Sequence, residues 1–312
     1  SLRMRTYSVI CLNEQCGILE FIPHTTTMRR VINQAHQGIE PAKPIPHIPD
    51  YFQAYLAFQE KKWADLEGMA EEYRTLLLDW YRPYFHRWFL ERFSDPTDWL
   101  AARITFTRSL AVWSAVGHVI GLGDRHTENM LLDVTSAEVC HVDFDCLFDK
   151  GLTLQRPEIV PFRLTPNLVD AMGVTGVEGC FRRTMEVSLK LMRDNKDTLL
   201  GTIEPFLRDL TVKWSSSSKG RKGFTKDHAD VALHKVTGRL SGVYNLIHPS
   251  ATKIRVEREK VGMQALRRGL GATQEEAAGV ALSVQGQVQR LIIEATAEIN
   301  LCQMYFGWTP WL

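Results

Sequence analysis

Apolar positions recur at helical spacing along most of this chain and alternate as in strands in only a few short runs. Residues 99–119 are mostly apolar and predict a long buried helix. Residues 181–194 and 197–210 predict amphipathic helices, and residues 26–37 a shorter one. In residues 283–305, Val284, Val288, Leu291, Ile292, Ala295, Ile299 and Cys302 fall on one helical face, with Gly307 and Pro310 as stop signals. Residues 51–93 are helical in pattern and rich in aromatics such as Tyr73, Trp80, Trp88 and Phe89, with Pro83 as a break. Such a stripe reads as core rather than ligand pocket. Strand patterns occupy residues 7–12 and 17–22, joined by an Asn13-Glu14 turn, and residues 130–134 and 138–143, joined by Thr135-Ser136-Ala137. Prolines mark 38–49 as a loop, glycines mark 167–179 as another, and Ser and Lys make 214–224 a polar link. The sum is an α+β fold dominated by helices.

The second strand pair carries the chemistry. Asp124, His126 and Asn129 precede it, and Asp143 ends it. With the hairpin centred on Ser136, Asn129 lies opposite Asp143, and facing residues have Cα atoms roughly 4.5–5.5 Å apart. An amide oxygen and a carboxylate then converge, a donor pair that suits Mg²⁺ together with substrate phosphates. Asp124, just upstream, is placed to accept the proton of an attacking hydroxyl. Any one of these residues alone reads as a turn or cap; the ordered set flanked by strands reads as a phosphoryl-transfer site. Its spacing is similar to that of protein kinases, where a catalytic Asp lies five residues before a metal-binding Asn and a second metal-binding Asp precedes a Phe.

The order Asp124-Arg125-His126, reversed from ordinary protein kinases, resembles the phosphatidylinositol-3-kinase-related kinases and their lipid-kinase cousins. Residues 299–312, containing Cys302-Gln-Met-Tyr-Phe-Gly-Trp-Thr-Pro310, look like the FATC segment of the protein-kinase branch. That wording, with Val142-Asp-Phe-Asp-Cys-Leu-Phe148 and Pro157-Glu-Ile-Val-Pro-Phe-Arg-Leu-Thr165, is closest to the ATR-type checkpoint kinases. The resemblance implies a protein-kinase-like fold: residues 1–22 as the end of the N-lobe and hinge, 23–214 as the C-lobe, 215–282 as a regulatory insertion and 283–312 as the FATC tail. Within the C-lobe, 121–133 would be the catalytic loop and 143–166 the activation loop. Asp124 is implied as the base, His126 as the group neutralising the phosphoryl charge, and Asn129 and Asp143 as metal ligands. ATP is the implied cofactor, with Mg²⁺ or alternatively Mn²⁺. Glu20, Phe21 and Ile22 would form the adenine-binding hinge, and Leu131 and Val142 the floor beneath adenine. Asp145 stands where ordinary kinases have Gly, which implies a loop less free to flip. Implied partners are proteins with Ser/Thr-Gln sites and a dedicated partner subunit bound through upstream regions, with nucleic acid engaged only indirectly, in the nucleus.

Composition narrows these readings. The 312 residues carry a net charge of +1, with 45% apolar and 23% charged residues, which gives no electrostatic case for nucleic-acid binding. Cys11, Cys16, Cys140, Cys146, Cys180 and Cys302 form no Cys-x-x-Cys pair and read as reduced thiols of an intracellular protein. No apolar run is long enough to span a membrane. Charges in 143–166 are mixed, without the basic cluster that a phosphoinositide headgroup would require. That favours a protein acceptor over a lipid kinase, and the presence of all four site residues disfavours a pseudokinase scaffold. Neither a phosphate-covering Gly-rich loop nor a strand Lys precedes Asp124, so the chain is expected to be a fragment cut within its small lobe.

Overall fold

The computed structural model describes residues 2–13, 15–37, 66–74, 82–154, 157–208, 226–243 and 281–305. Two antiparallel strands open it, β1 (Val9–Asn13) and β2 (Cys16–Leu19), in the register Ile10↔Ile18 with an irregularity between Cys11 and Asn13. All their residues are exposed. β3 (Thr25–Thr27) follows, a strand that the residue pattern does not announce. It passes directly into α1 (Met28–His36), whose N-cap is Thr27: its hydroxyl accepts the Arg30 N–H. β3 completes a three-stranded sheet with β4 (Met130–Asp133) and β5 (Val139–His141), in the order β3-β4-β5. Residues 38–49 and most of the aromatic stripe, Trp80 included, lie outside the described residues, as do residues 214–224, Gly307 and Pro310.

Helices enclose this sheet. After α2 (Leu66–Glu72), the chain resumes beyond Pro83 as α3 (Phe85–Arg92), whose Phe85 and Phe89 meet Phe106 edge to face, as Trp88 meets Phe93. The expected central helix is α4 (Pro96–Ile120). Asp95 caps it by accepting from the Thr97 and Asp98 N–H groups, Pro96 sits in its first turn, and Gly121 ends it at φ +62°. Thr107 and Ser114 bond to carbonyls one turn back, so their hydroxyls are satisfied inside the core. Ser109 also accepts the Val139 N–H, and the Trp113 indole donates to the Val139 carbonyl at 3.1 Å, which seats α4 on β5.

α5 (Pro166–Ala171) occupies what reads as a loop; Thr165 and Pro166 are its start signal. α6 (Cys180–Asp194) packs along α4, followed by α7 (Lys196–Arg208). α8 (Lys226–Leu240) contributes Val236 and Leu240 to the main core. Val243 and Ala281 then form a bridge, and the tail begins. The tail helix breaks where one continuous helix is expected. α9 (Val284–Thr296) ends at Ala297, which is extended at ψ 121°, and α10 (Glu298–Leu301) starts directly after it. Val288, Leu291, Ile292 and Ala295 enter the same core as α4 and α6.

His118, near the end of α4, is half-buried beside Gln287 of this tail; desolvation first, and then the Arg239 cation, push its pKa down to about 3. A folded-state value below the unfolded one means that the unfolded chain binds more protons between those two values. Stability therefore rises with pH in that window. Melting curves from pH 6.5 downward are expected to lose up to about 1.4 kcal/mol per pH unit from this group. His118→Gln, which keeps an acceptor, is expected to flatten that slope.

Candidate active site

The turn between β4 and β5 sets the site's register. Asp133 accepts from the Thr135 and Ser136 N–H groups and from the Thr135 hydroxyl, and its own N–H reaches the Glu138 carbonyl at 2.9 Å. Ala137 takes φ +60°. The loop thus holds four residues, 134–137, and the pairing is Met130↔His141 and Leu132↔Val139. Continuing that register, Asn129 faces Val142, whose N–H bonds to the Asn129 carbonyl at 3.1 Å. The expected Asn129–Asp143 facing pair is displaced by one residue.

Arg125 supplies the convergence instead. Its buried guanidinium donates to the carbonyls of Gly123 (2.8 Å), Asn129 (3.3 Å), Val142 (2.7 Å) and Asp143. One planar cation ties the loop to both strands of the hairpin. The Asn129 amide N–H₂ donates to the Asp124 carbonyl at 3.0 Å, which orients its oxygen as the free hard donor. Asp143 Oδ1 accepts the Asp145 N–H at 3.1 Å, and Asp143 itself holds φ +59°. Two oxygen donors of this type fit a magnesium ion that keeps other ligands from phosphates and water. Among the described residues no trio of His, Cys, Asp and Glu suits a softer metal.

Asp124 also stands at positive φ, +57°, and its N–H donates to Glu158 Oε2 at 2.7 Å. Non-glycine residues persist in this region only when their surroundings hold them there, and Glu158 and the Asn129 amide do so here. His126 Nδ1 accepts the Glu128 N–H at 3.2 Å, so the neutral ring carries its proton on Nε2, 3.9 Å from Asp124 Oδ2. Beside Asp143, Phe144 sits in an aromatic column: Tyr7 stacks on it at 6.3 Å, Trp113 at 6.0 Å, and His141 on Trp113 at 4.7 Å. Burial, then the Glu158 and Asp124 charges, push the Cys146 thiol up to about 12, so it is no nucleophile.

The hinge residues are placed less uniformly. Ile22 is buried, and its carbonyl accepts the Thr25 hydroxyl at 2.8 Å. Glu20 reaches back to Ser8 through both main chain and carboxylate. Phe21 is 84% exposed and stacks on nothing among the described residues. Leu131 lies on the central strand opposite Thr27 and Cys140, and Val142 just beyond β5; both are half-buried. Asp145 takes no left-handed conformation and pairs with Lys150 at 2.8 Å. In the segment after it, Asp149, Glu158 and Arg163 are buried, which removes them from any acceptor-binding surface.

Arg125 and Glu158 carry the geometry, yet the residue pattern does not single them out. Arg125→Met would leave those carbonyls without their shared donor. It is expected to destabilise the chain by about 1–3 kcal/mol, the penalty for orphaned buried polar groups, read by denaturant unfolding. Arg125→Lys is expected to restore only part, because an ammonium lacks the planar fork.

Comparisons with known proteins place the whole chain in a family. The family described as "Phosphatidylinositol 3- and 4-kinase" matches residues 1–216, and the FATC domain matches residues 281–312. The chain is 37% identical over 317 residues to the serine/threonine-protein kinase ATR of Arabidopsis thaliana, covering 99% of this chain and 10% of that protein. It is 37% identical to protein kinase rad3 of Schizosaccharomyces pombe, covering 100% of this chain and 11% of that one. The chain thus spans about a tenth of the length of these relatives. The solved "FAT and kinase domain of CtTel1" superimposes with a TM-score of 0.74 at 31% identity, over 100% of this chain and 19% of that one. The kinase-like fold and the FATC match after it establish that this chain belongs to the phosphatidylinositol 3- and 4-kinase family.

Proposed function

We propose that this chain is the catalytic region of an ATR-type serine/threonine protein kinase, which transfers the γ-phosphoryl group of ATP to protein hydroxyls. The carrying observation is the convergence of the Gly123, Asn129 and Asp143 carbonyls on Arg125, with the Asp124 carbonyl held by the Asn129 amide. The kinase names of its relatives and its FATC match support the same reading. In this reading Asn129 and Asp143 hold Mg²⁺, with Mn²⁺ as an alternative. Bound Mg-ATP supplies the transferable phosphoryl group and an electrophilic phosphorus. Asp124 accepts the proton of the attacking hydroxyl, and His126 Nε2–H donates to the phosphoryl oxygens. Catalysis is then positioning and charge neutralisation rather than covalent chemistry by the protein. Ile22 and Glu20 offer main chain to adenine, Leu131 and Val142 form its floor, and Phe21 flanks it.

The finer reading follows from the same resemblance. Residues 1–22 end the small lobe, 23–214 form the large lobe, 215–282 are the regulatory insertion and 283–312 the tail. Substrates are proteins carrying Ser/Thr-Gln sites, in nuclear checkpoint signalling, with a dedicated partner subunit bound outside this chain. No helix among the described residues is long and apolar enough to cross a membrane.

Asp143→Asn in the intact protein is expected to lower phosphate transfer to a Ser-Gln peptide on the order of 10³-fold, the consequence of losing several kcal/mol of metal-mediated charge stabilisation. Its melting temperature should stay close to that of the parent. Turnover retained by this variant would remove Asp143 from the site. Parallel assays with the peptide and with phosphoinositide vesicles decide the acceptor class: phosphate appearing only on lipid overturns the protein-kinase reading.

A further inference from the structure

The segment after Asp143 is anchored by a buried ion cluster that the site chemistry does not use. Asp149 stands at φ +62° with its side chain 8% exposed. Its Oδ1 accepts from Arg239 at 2.6 Å, and its Oδ2 pairs with Lys235 Nζ at 3.0 Å. Both cations lie on α8, one turn apart, and Lys235 is itself buried. Burial alone would raise the Asp149 carboxyl, but Arg239 and Lys235 outweigh it and hold it well below the usual carboxylate range.

The same residues close the end of the central helix. The last carbonyls of a helix have no partner within it. Here Ile120 and Gly121 accept the N–H groups of Phe148 (3.0 Å) and Asp149 (2.9 Å), and Val119 accepts from Arg239 at 3.5 Å. The fit is tight: a Cβ on Gly121 would lie 2.5 Å from Asp149 Oδ1 and 2.9 Å from Arg239. Two residues on, the Gly123 N–H bonds to the Cys146 carbonyl at 2.7 Å, and Asp124 follows. The main chain that presents Asp124 is therefore stitched on one side to the Asp149 segment.

The other side of Arg239 faces the tail. Its carbonyl accepts from Gln287 Nε2 at 3.0 Å, and Gln287 Oε1 accepts from Arg193 of α6 at 2.6 Å. Gln287 Nε2 also lies 3.4 Å from His118 Nε2 on α4. One buried amide on α9 thus touches α4, α6 and α8 together. An apolar residue would suffice to fill this space; the amide fixes the position of α8 along its axis, and with it the Arg239 guanidinium.

We infer that Arg239 is a positioning residue for phosphoryl transfer, through which Gln287 of the tail helix holds Asp149 and the main chain that presents Asp124. This rests on the kinase reading above. A residue that merely stabilised the fold would change melting and leave kcat per folded molecule untouched. A positioning residue lowers kcat while leaving substrate affinity alone.

The experiment measures steady-state transfer from ATP to a Ser-Gln peptide by the intact protein, normalised to the folded fraction. Arg239→Met is expected to lower kcat at least about 10-fold, near 1.4 kcal/mol of barrier, with both KM values within about two-fold. Gln287→Met is expected to lower kcat in the parent but to add less than about two-fold in the Arg239→Met background, as residues acting through one path do. Should Arg239→Met fail to fold, Arg239→Lys, which keeps the charge but not the fork, is expected to show a kcat loss of about three-fold with unmoved KM. An unchanged kcat in whichever Arg239 variant folds overturns the inference and leaves a structural stitch. Fully additive losses overturn the link to the tail. A parent protein without transfer, or one indifferent to Asp143→Asn, counts instead against the kinase reading itself.

Discussion

The Arg125 guanidinium holds the carbonyls of Gly123, Asn129, Val142 and Asp143, and these lie on a loop and on both strands of a hairpin. Burial disfavours its charged form, while the nearby Asp124, Glu158 and Asp143 carboxylates favour it. The cation survives because a guanidinium is never deprotonated at ordinary pH and four of its five N–H donors are directed at carbonyl acceptors. A ring of main-chain oxygens is a weakly negative cage without a full charge of its own. The Asp124 and Asp143 carboxylates are thus not consumed in an ion pair with the arginine.

Around that centre the site is built from two residues in an uncommon backbone conformation, Asp124 and Asp143. Each is pinned from a different direction, Asp124 by Glu158 and the Asn129 amide, and Asp143 by Arg125 and the aromatic column through Phe144. Preorganisation of this kind suits a reaction in which charge, rather than covalent assistance, is what the protein manages.

The long elements were legible because their periodicity is. The α4 stretch, the two hairpins and the apolar face of α9 follow directly from spacing. The failures are local and share a cause: hydrogen bonds made by single side chains. Asp133 closes a four-residue loop and displaces the register by one, so that Asn129 faces Val142. Thr27 ends β3 and starts α1 within one residue, too abruptly for any period to register. Ala297 breaks the tail helix without Gly or Pro to mark it. Within the site, the residues bearing candidate chemistry stood out as an ordered set. Arg125 entered only as the middle of the Asp124-Arg125-His126 order, because its carbonyl partners carry no side-chain signature. Glu158 was hidden by distance, being brought to Asp124 only when the intervening segment docks.

The bridge between Val243 and Ala281 closes the chain on itself at the start of the tail. Gly242 receives the Leu282 N–H at 3.0 Å, so the chain leaves α8 and re-enters before α9 at one closed point. Closing a loop costs only about 0.6 kcal/mol more for each doubling of its length. Chain ends held together in this way accept a longer or shorter connection at little added cost to the body that they close. The seam works as a socket: a closed pair of ends whose geometry does not depend on the length of the chain that joins them.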